Sequence, residues 1–220
     1  GDVIVVGARF GDSGAVDSGA AYVFSGSNWG VETKLLGSGA AYHDHFGESV
    51  SISGDVIAIG SPLDDSYAPD GGVVFVFAYD GSAWSFEDDL ILGGSGGENF
   101  GASVAVNGDL LVVGAPLEGS QTGFVYPFRF DGAVWVGGTE TLNAILGFPG
   151  VEGFDQFGGA VAVSSAERVI VGAAGDDDLG TDAGGAYAFE LLDTDGDDLT
   201  DYEETVTLVG TYPCLDPYEF

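Results

Sequence analysis

Twelve residues near the C-terminal end carry the sharpest chemistry in the chain: Asp193-Thr-Asp-Gly-Asp-Asp-Leu-Thr-Asp-Tyr-Glu-Glu204. Calcium takes six to eight oxygen ligands, and a 12-residue loop supplies them from positions 1, 3, 5, 7, 9 and 12. Counted from Asp193, these are Asp193, Asp195, Asp197, the Leu199 carbonyl, Asp201 and Glu204. The set is complete. Position six, where such a loop turns sharply, holds Asp198 rather than glycine. Asp tolerates left-handed geometry better than most residues, so the substitution weakens the site without removing it. The flanks do not read as two long helices, which favours a stand-alone loop over a helix-flanked pair. The bland alternative is an acidic, solvated linker, and the spacing favours calcium over it.

Aspartates also recur at matching places upstream. The loops after Gly7, Gly60 and Gly172 have equal length up to an aromatic strand. Asp12, Asp65 and Asp177 therefore coincide, as do Asp17, Asp70 and Asp182, followed by Gly19, Gly72 and Gly184. Carboxylates five apart and closed by glycine are candidates for a second set of calcium loops. The competing reading, favoured slightly, is Asp capping its own turn. His43 and His45 flank Asp44, but no third metal ligand is evident nearby, so a polar surface loop is the better reading. Two histidines and no GxSxG elbow give little support to a Ser-His-Asp triad. A carboxylate pair for glycoside hydrolysis stays open, because separation in space is not legible. The expectation is a protein without catalytic residues.

What must position these groups is a repeat. Phe100–Phe128, FGASVAVNGDLLVVGAPLEGSQTGFVYPF, recurs in frame as Phe46–Phe77 and Phe157–Phe189, and half of it opens the chain at Gly1–Phe24. Equivalent glycines fall at Gly7, Gly60, Gly114 and Gly172, spacings of 53, 54 and 58 residues. Each unit begins with a strand alternating small and branched residues, such as Ser49, Ser51 against Val50, Ile52. A short turn (Ser53-Gly54-Asp55, Asn107-Gly108-Asp109) leads to a continuous apolar run: Asp2–Val6, Val56–Ile59, Leu110–Val113, Val169–Val171. Runs that do not alternate suit strands covered on both faces. An aromatic third strand follows, with Pro127 predicting a bulge or an irregular edge in one copy. A hairpin then reaches Trp29, Trp84 or Trp135, which open fourth strands; recurrence at one position favours packing over a sugar site. Four strands per unit at this period predict an all-β chain of about four four-stranded β-propeller blades.

Composition narrows the partners. The 220 residues suffice for one sizeable core. Four Lys+Arg against 36 Asp+Glu give a formal charge of −32. Nucleic acid and anionic membrane surfaces both need basic contacts and are poor partners. Calcium is the simplest positive partner, and solubility in a salty or extracellular medium accounts for many of the other acids. Cys214 stands alone and cannot form an internal disulfide. No apolar run reaches the roughly 20 residues of a membrane helix. The chain starts in mid-repeat at Gly1 and holds no Met, so any secretion signal is expected outside this segment.

With these motifs in place, the frame FGxSVxxxGDxxxVGAP, an Asp-rich loop and GxxYVF resembles the FG-GAP repeat of bacterial secreted proteins, similar to blades of the integrin α-subunit propeller. The resemblance covers Gly1 to about Leu192. It implies a propeller, in which integrin-type blades bind calcium through a long DxDxDG loop between the first two strands. Here those turns are three residues long, so that site does not carry over. After Phe189 the pattern breaks, and Gly210-Thr-Tyr-Pro-Cys-Leu-Asp216 resembles the spacer between tandem thrombospondin type 3 repeats. The expected division is 1–192, propeller blades, and 193–220, a calcium-binding extension. Two architectures stay open: a segment of a larger propeller, or a closed four-bladed one in which Thr205–Val209 fills a gap.

The expected function is a secreted or cell-surface, calcium-dependent structural or adhesive protein using the propeller as scaffold or recognition surface. Its partners would be calcium and an extracellular protein, a glycan, or copies of itself, with no membrane insertion. The alternatives are a propeller-based hydrolase on glycans or lipids, or a carbohydrate-binding module using rim tryptophans.

Overall fold

The computed structural model describes residues 3–26, 28–94, 96–137, 153–164, 168–177, 183–190 and 207–213. The chain is all-β, a run of β-propeller blades. The first sheet holds β1 (Val3–Ala8), β2 (Ala20–Ser25) and β3 (Val31–Leu35). The second holds β4 (Ser49–Ser53), β5 (Val56–Ser61), β6 (Val73–Tyr79) and β7 (Trp84–Leu90). The third holds β8 (Ser103–Asn107), β9 (Leu110–Ala115), β10 (Phe124–Phe130) and β11 (Trp135–Gly137). The fourth holds β12 (Phe157–Val163), β13 (Arg168–Ala173), β14 (Gly185–Glu190) and β15 (Thr207–Pro213). Strands follow one another across each sheet in antiparallel order, as hairpin connections dictate.

The apolar runs lie second in each full sheet, and those of β5 and β9 are gripped from both sides. In β5, Ile57 and Ile59 pack with Val3, Val5, Ala21 and Val23 of the first blade. The opposite face, through Ala58, packs with Leu111 and Val113 of the third. In β9, Leu110 and Val112 turn the other way and meet Val169 and Val171 of the fourth. Burial of each such side chain contributes about 1.5–3 kcal/mol, so every interior blade is held by both neighbours. The tight turns before these runs are two-residue hairpins, with Ser53 opposite Val56 and Asn107 opposite Leu110. Gly54 (φ 56) and Gly108 (φ 61) supply the left-handed residue they need.

The small residues of the first strands do more than fit a crowded axis. Ser49 Oγ donates to Gly101 O and Ser103 Oγ to Gly158 O, each at 2.7 Å. Val106 N donates to Ser51 Oγ and Gly108 N to Ser53 Oγ, each at 3.0 Å. The small face is therefore the one that meets the next blade's first strand. It lets backbones approach and bond through a hydroxyl.

At Pro127 the ladder with β9 runs without a shift, Pro127 lying opposite Val112. The irregularity is on the other edge, where β11 pairs only with Phe128–Phe130. Blades two and four show why proline is tolerated there. Their outer ladders shift register between Val76 and Phe77 and between Ala188 and Phe189, the equivalent place. A donor already outside a regular ladder can be lost without cost.

β15 pairs with β14 through Gly185↔Pro213 to Glu190↔Thr207. Residues 207–213 thus form the fourth strand of the fourth blade.

Candidate functional site

Three phenylalanines occupy one recurring environment. Phe46 lies 5.3 Å from Phe75 and 6.3 Å from Phe77 between ring centroids. Phe100 lies 5.9 and 6.0 Å from Tyr126 and Phe128. Phe157 lies 5.5 and 6.0 Å from Tyr187 and Phe189. All three are at most 1 % exposed. Each is followed by a glycine, and that dipeptide presses onto two glycines of the preceding blade. A Cβ placed on Gly7, Gly60 or Gly114 would lie 2.0, 1.9 or 2.0 Å from the carbonyl oxygen of Gly47, Gly101 or Gly158. A Cβ on Gly19, Gly72 or Gly123 would meet the oxygen of Phe46, Phe100 or Phe157 at 2.0, 2.1 and 2.1 Å. The Phe N–H groups donate to Ser18 O, Gly71 O and Thr122 O at 3.0, 3.0 and 2.9 Å. The repeat's glycines are seats for the next blade's Phe-Gly.

The aspartate loops stand beside these seats. Asp12 Oδ1 accepts the N–H of Asp17 at 3.0 Å, and Asp65 Oδ1 that of Asp70 at 2.7 Å. Asp17 and Asp70 are left-handed (φ 52 and 48), a conformation Asp tolerates. In the described geometry the first aspartate of each pair caps the loop that ends at Gly19 or Gly72. Asp177 is exposed, and Asp182 falls outside the described residues. Among the described residues, no three His, Cys, Asp or Glu side chains converge on one point. His43 Nδ1 lies 3.2 Å from Asp17 Oδ2, and His45 Nδ1 3.8 Å from Glu48 Oε2. Each histidine thus faces a carboxylate, as a surface loop in an acidic chain would arrange.

Sequence reasoning missed a set of buried acids. Asp44, Glu98 and Asp155 each sit two residues before a Phe-Gly and are 4, 7 and 2 % exposed. Asp64 and Asp176, in the loops after β5 and β13, are 3 and 5 % exposed. Glu118 occupies the equivalent place after β9 and takes a hydrogen bond from Tyr126 Oη. Tyr187 Oη donates to Asp176 in the same way. Burial raises the Asp44 carboxyl above the usual carboxylate range; the Ala41 N–H offsets part of this, while Asp64 and Asp65 add to it. Burial likewise raises Glu118, with Tyr126 opposing and Glu98 adding. Tyr126 is itself pushed up, first by burial and then by Glu118. The signal was available: the residue two before each Phe-Gly is acidic in all three copies.

The tryptophans differ from junction to junction. Trp135 is 7 % exposed and its Nε1 donates to Glu87 Oε2 of the preceding blade at 3.4 Å. Trp84 is half-buried and stacks at 5.3 Å on Tyr79. Beside it a cavity of about 430 Å³ opens between the first two blades, lined by Thr33, Asp55, Tyr79, Ser82 and Trp84 among others. Trp29 lies in the turn before β3, left-handed at φ 54, and is 41 % exposed.

The dodecad Asp193–Glu204, with Asp193, Asp195, Asp197, Leu199, Asp201 and Glu204, lies outside the described residues; it falls between β14 and β15 in the chain.

The family model of the FG-GAP repeat matches residues 29–77, 84–128 and 149–189. No curated protein matches the chain.

Proposed function

The chain belongs to the FG-GAP repeat family, and on that premise we propose that it is a secreted, calcium-binding structural or adhesive protein whose propeller presents a recognition surface and performs no catalysis. The observation that carries the calcium reading is the dodecad's full set of ligand positions, joining two strands that are antiparallel neighbours. Five carboxylates in one short loop repel one another, and a divalent cation relieves that repulsion. A blade edge is a suitable mount, since β14 and β15, which precede and follow the loop in the chain, are paired neighbours. The chain's charge of −32 suits a medium rich in divalent cations and salt.

A lone loop of this kind binds with a dissociation constant on the order of 10⁻⁴–10⁻³ M. Calorimetric titration of the whole chain with Ca²⁺ tests the reading. Glu204→Gln should weaken binding most, because position 12 supplies two oxygens. Asp198→Gly should strengthen it by easing the turn. Equal heats for all three proteins, or none in millimolar calcium, leave an acidic linker and end the proposal.

The cavity beside Trp84 supports a second reading, in which the recognised ligand is a glycan. An aromatic platform with Asp55, Ser82 and Thr33 around it suits a sugar ring's apolar face and hydroxyls. Loss of glycan-dependent quenching of tryptophan fluorescence in Trp84→Ala would support it, and unchanged quenching would discard it.

A further inference from the structure

The cavity between the first two blades has a counterpart at the next junction, and there it is closed. Trp84 stacks on Tyr79 with centroids 5.3 Å and planes 40° apart, and Trp135 stacks on Phe130 at 5.4 Å and 44°. Trp135 is 7 % exposed, and its Nε1 donates to Glu87 of the preceding blade. Glu87 is the extra residue where β7 shifts register on β6, and β3 pairs with β2 without such a shift. Trp84 therefore meets no equivalent carboxylate, and among the described residues its Nε1 has no acceptor. What stays open is a hollow of about 430 Å³ with two ring faces, the hydroxyls of Ser25 and Thr33, and a single formal charge, Asp55.

That charge is unanswered. Asp109, its counterpart in the third blade, lies 3.9 Å from Arg129 Nη1. Arg129 stands opposite Leu110 in the ladder; one blade earlier, opposite Val56, stands Ala78. Asp55 is exposed, and among the described residues its carboxylate takes neither a hydrogen bond nor an ion pair. Tyr79 N donates to Asp55 O at 2.9 Å, which fixes the acid's turn beside the rings.

We propose that this cavity selects a glycan whose sugar rings carry a free, protonated amine. The proposal rests on the glycan reading of the cavity and adds the class of sugar. An ammonium meets Asp55 through a charge-assisted hydrogen bond and the faces of Trp84 and Tyr79 through cation–π attraction. A neutral sugar makes neither contact. The indole N–H and the Ser25 and Thr33 hydroxyls remain for the ring's own hydroxyls. A volume of about 430 Å³ is near the low end for small-molecule sites, about 300–1,000 Å³, so the cavity holds a short stretch of a longer glycan. The charge of −32 draws cations to the surface and repels uronates and sulfated sugars before contact.

Calorimetry of the whole chain tests this with the glucosamine tetramer, held below the pKa of its amine, its fully N-acetylated form and the glucose tetramer. The glucosamine tetramer should bind about tenfold tighter than either neutral one, or more. Asp55→Asn should remove that preference, and Trp84→Ala should weaken the glucosamine tetramer about tenfold. Diffuse attraction to 36 acids hardly changes when one is lost, so a preference that survives Asp55→Asn overturns the proposal. Equal binding of all the tetramers also overturns it and leaves the glycan reading standing. Absence of any binding at about 1 mM ends both. Tetralysine that displaces the glucosamine tetramer at equal concentration would assign the cavity to a basic protein segment, which overturns the proposal too.

Discussion

β9 and β13 occupy the same place in successive blades, yet every residue of β9 is buried and β13 is buried only at alternate positions. The same contrast separates β5 from β1, where Ile4 and Val6 are 42 and 46 % exposed. β5, β9 and β13 pair on both edges and β1 with β2 alone, so between β9 and β13 it is the neighbouring blades that differ. An interior run such as Leu110–Val113 sheds both faces into adjacent blades, while an end run sheds one. The unit of stability is thus the junction, where apolar faces close over a Phe-Gly plug. This is the nearest-neighbour economy expected of repeat proteins, in which a unit's interfaces contribute as much as its own hydrogen bonds.

The largest expected effect comes from removing a plug. Phe100 is fully buried against Tyr126 and Phe128, so Phe100→Ala should destabilise the chain by about 3–5 kcal/mol. Ile170→Ala, on the uncovered face, should cost under about 1 kcal/mol. Urea denaturation of both variants measures the gap. Similar losses would mean that the fourth blade's outer face is as well packed as an interior one.

A smaller effect should appear with pH. Asp44 and Glu118 are raised by burial, so the folded chain binds protons before the unfolded chain does. Stability should therefore rise as pH falls from neutral toward the ordinary carboxylate range of about 4. Relief of the overall negative charge acts in the same direction. The exposed hairpin acids Asp80 and Asp131, held low chiefly by the backbone N–H groups of Ala83 and Val134, lose their contribution only at lower pH. Facing Asp44 are Asp64, Asp65 and His45. Asp44→Asn should flatten the rise seen in thermal midpoints between pH 7 and pH 5. An unchanged slope would show that overall charge alone sets it.

Much of this was legible in the sequence, because a repeat states each rule several times. The glycine frame and the Phe-Gly pairs located the blades, and continuous runs such as Leu110–Val113 announced two-sided burial. Pro127 marked an irregular edge, although the break lies toward β11 and not β9. What escaped was whatever depends on contacts between units. Asp44, Glu98 and Asp155 read as solvated acids, since a single sequence does not show which loops a neighbouring blade will cover. β15 was foreseen only as the Thr205–Val209 segment that fills a gap in one alternative, because it lacks the tryptophan hairpin that opens the other outer strands and its acidic approach reads as the start of something else. The serines of β4 and β8 were legible as small and not as hydrogen-bond partners of the next blade. The dodecad's ligand spacing was the clearest chemical signal in the chain, and its test is calcium itself.

The repeat's glycines are seats for the next blade, and one pair of substitutions separates a filled seat from an open one. Gly60 and Gly172 hold equivalent positions, and neither has the positive φ that would strain alanine by itself. At Gly60 the added methyl meets Gly101 O at 1.9 Å; at Gly172, among the described residues, it meets only Ala160, at 3.5 Å. Urea denaturation should show Gly60→Ala losing about 2–3 kcal/mol or more and Gly172→Ala staying within about 0.5 kcal/mol of the parent chain. Equal losses at the two positions would mean that these glycines are not seats.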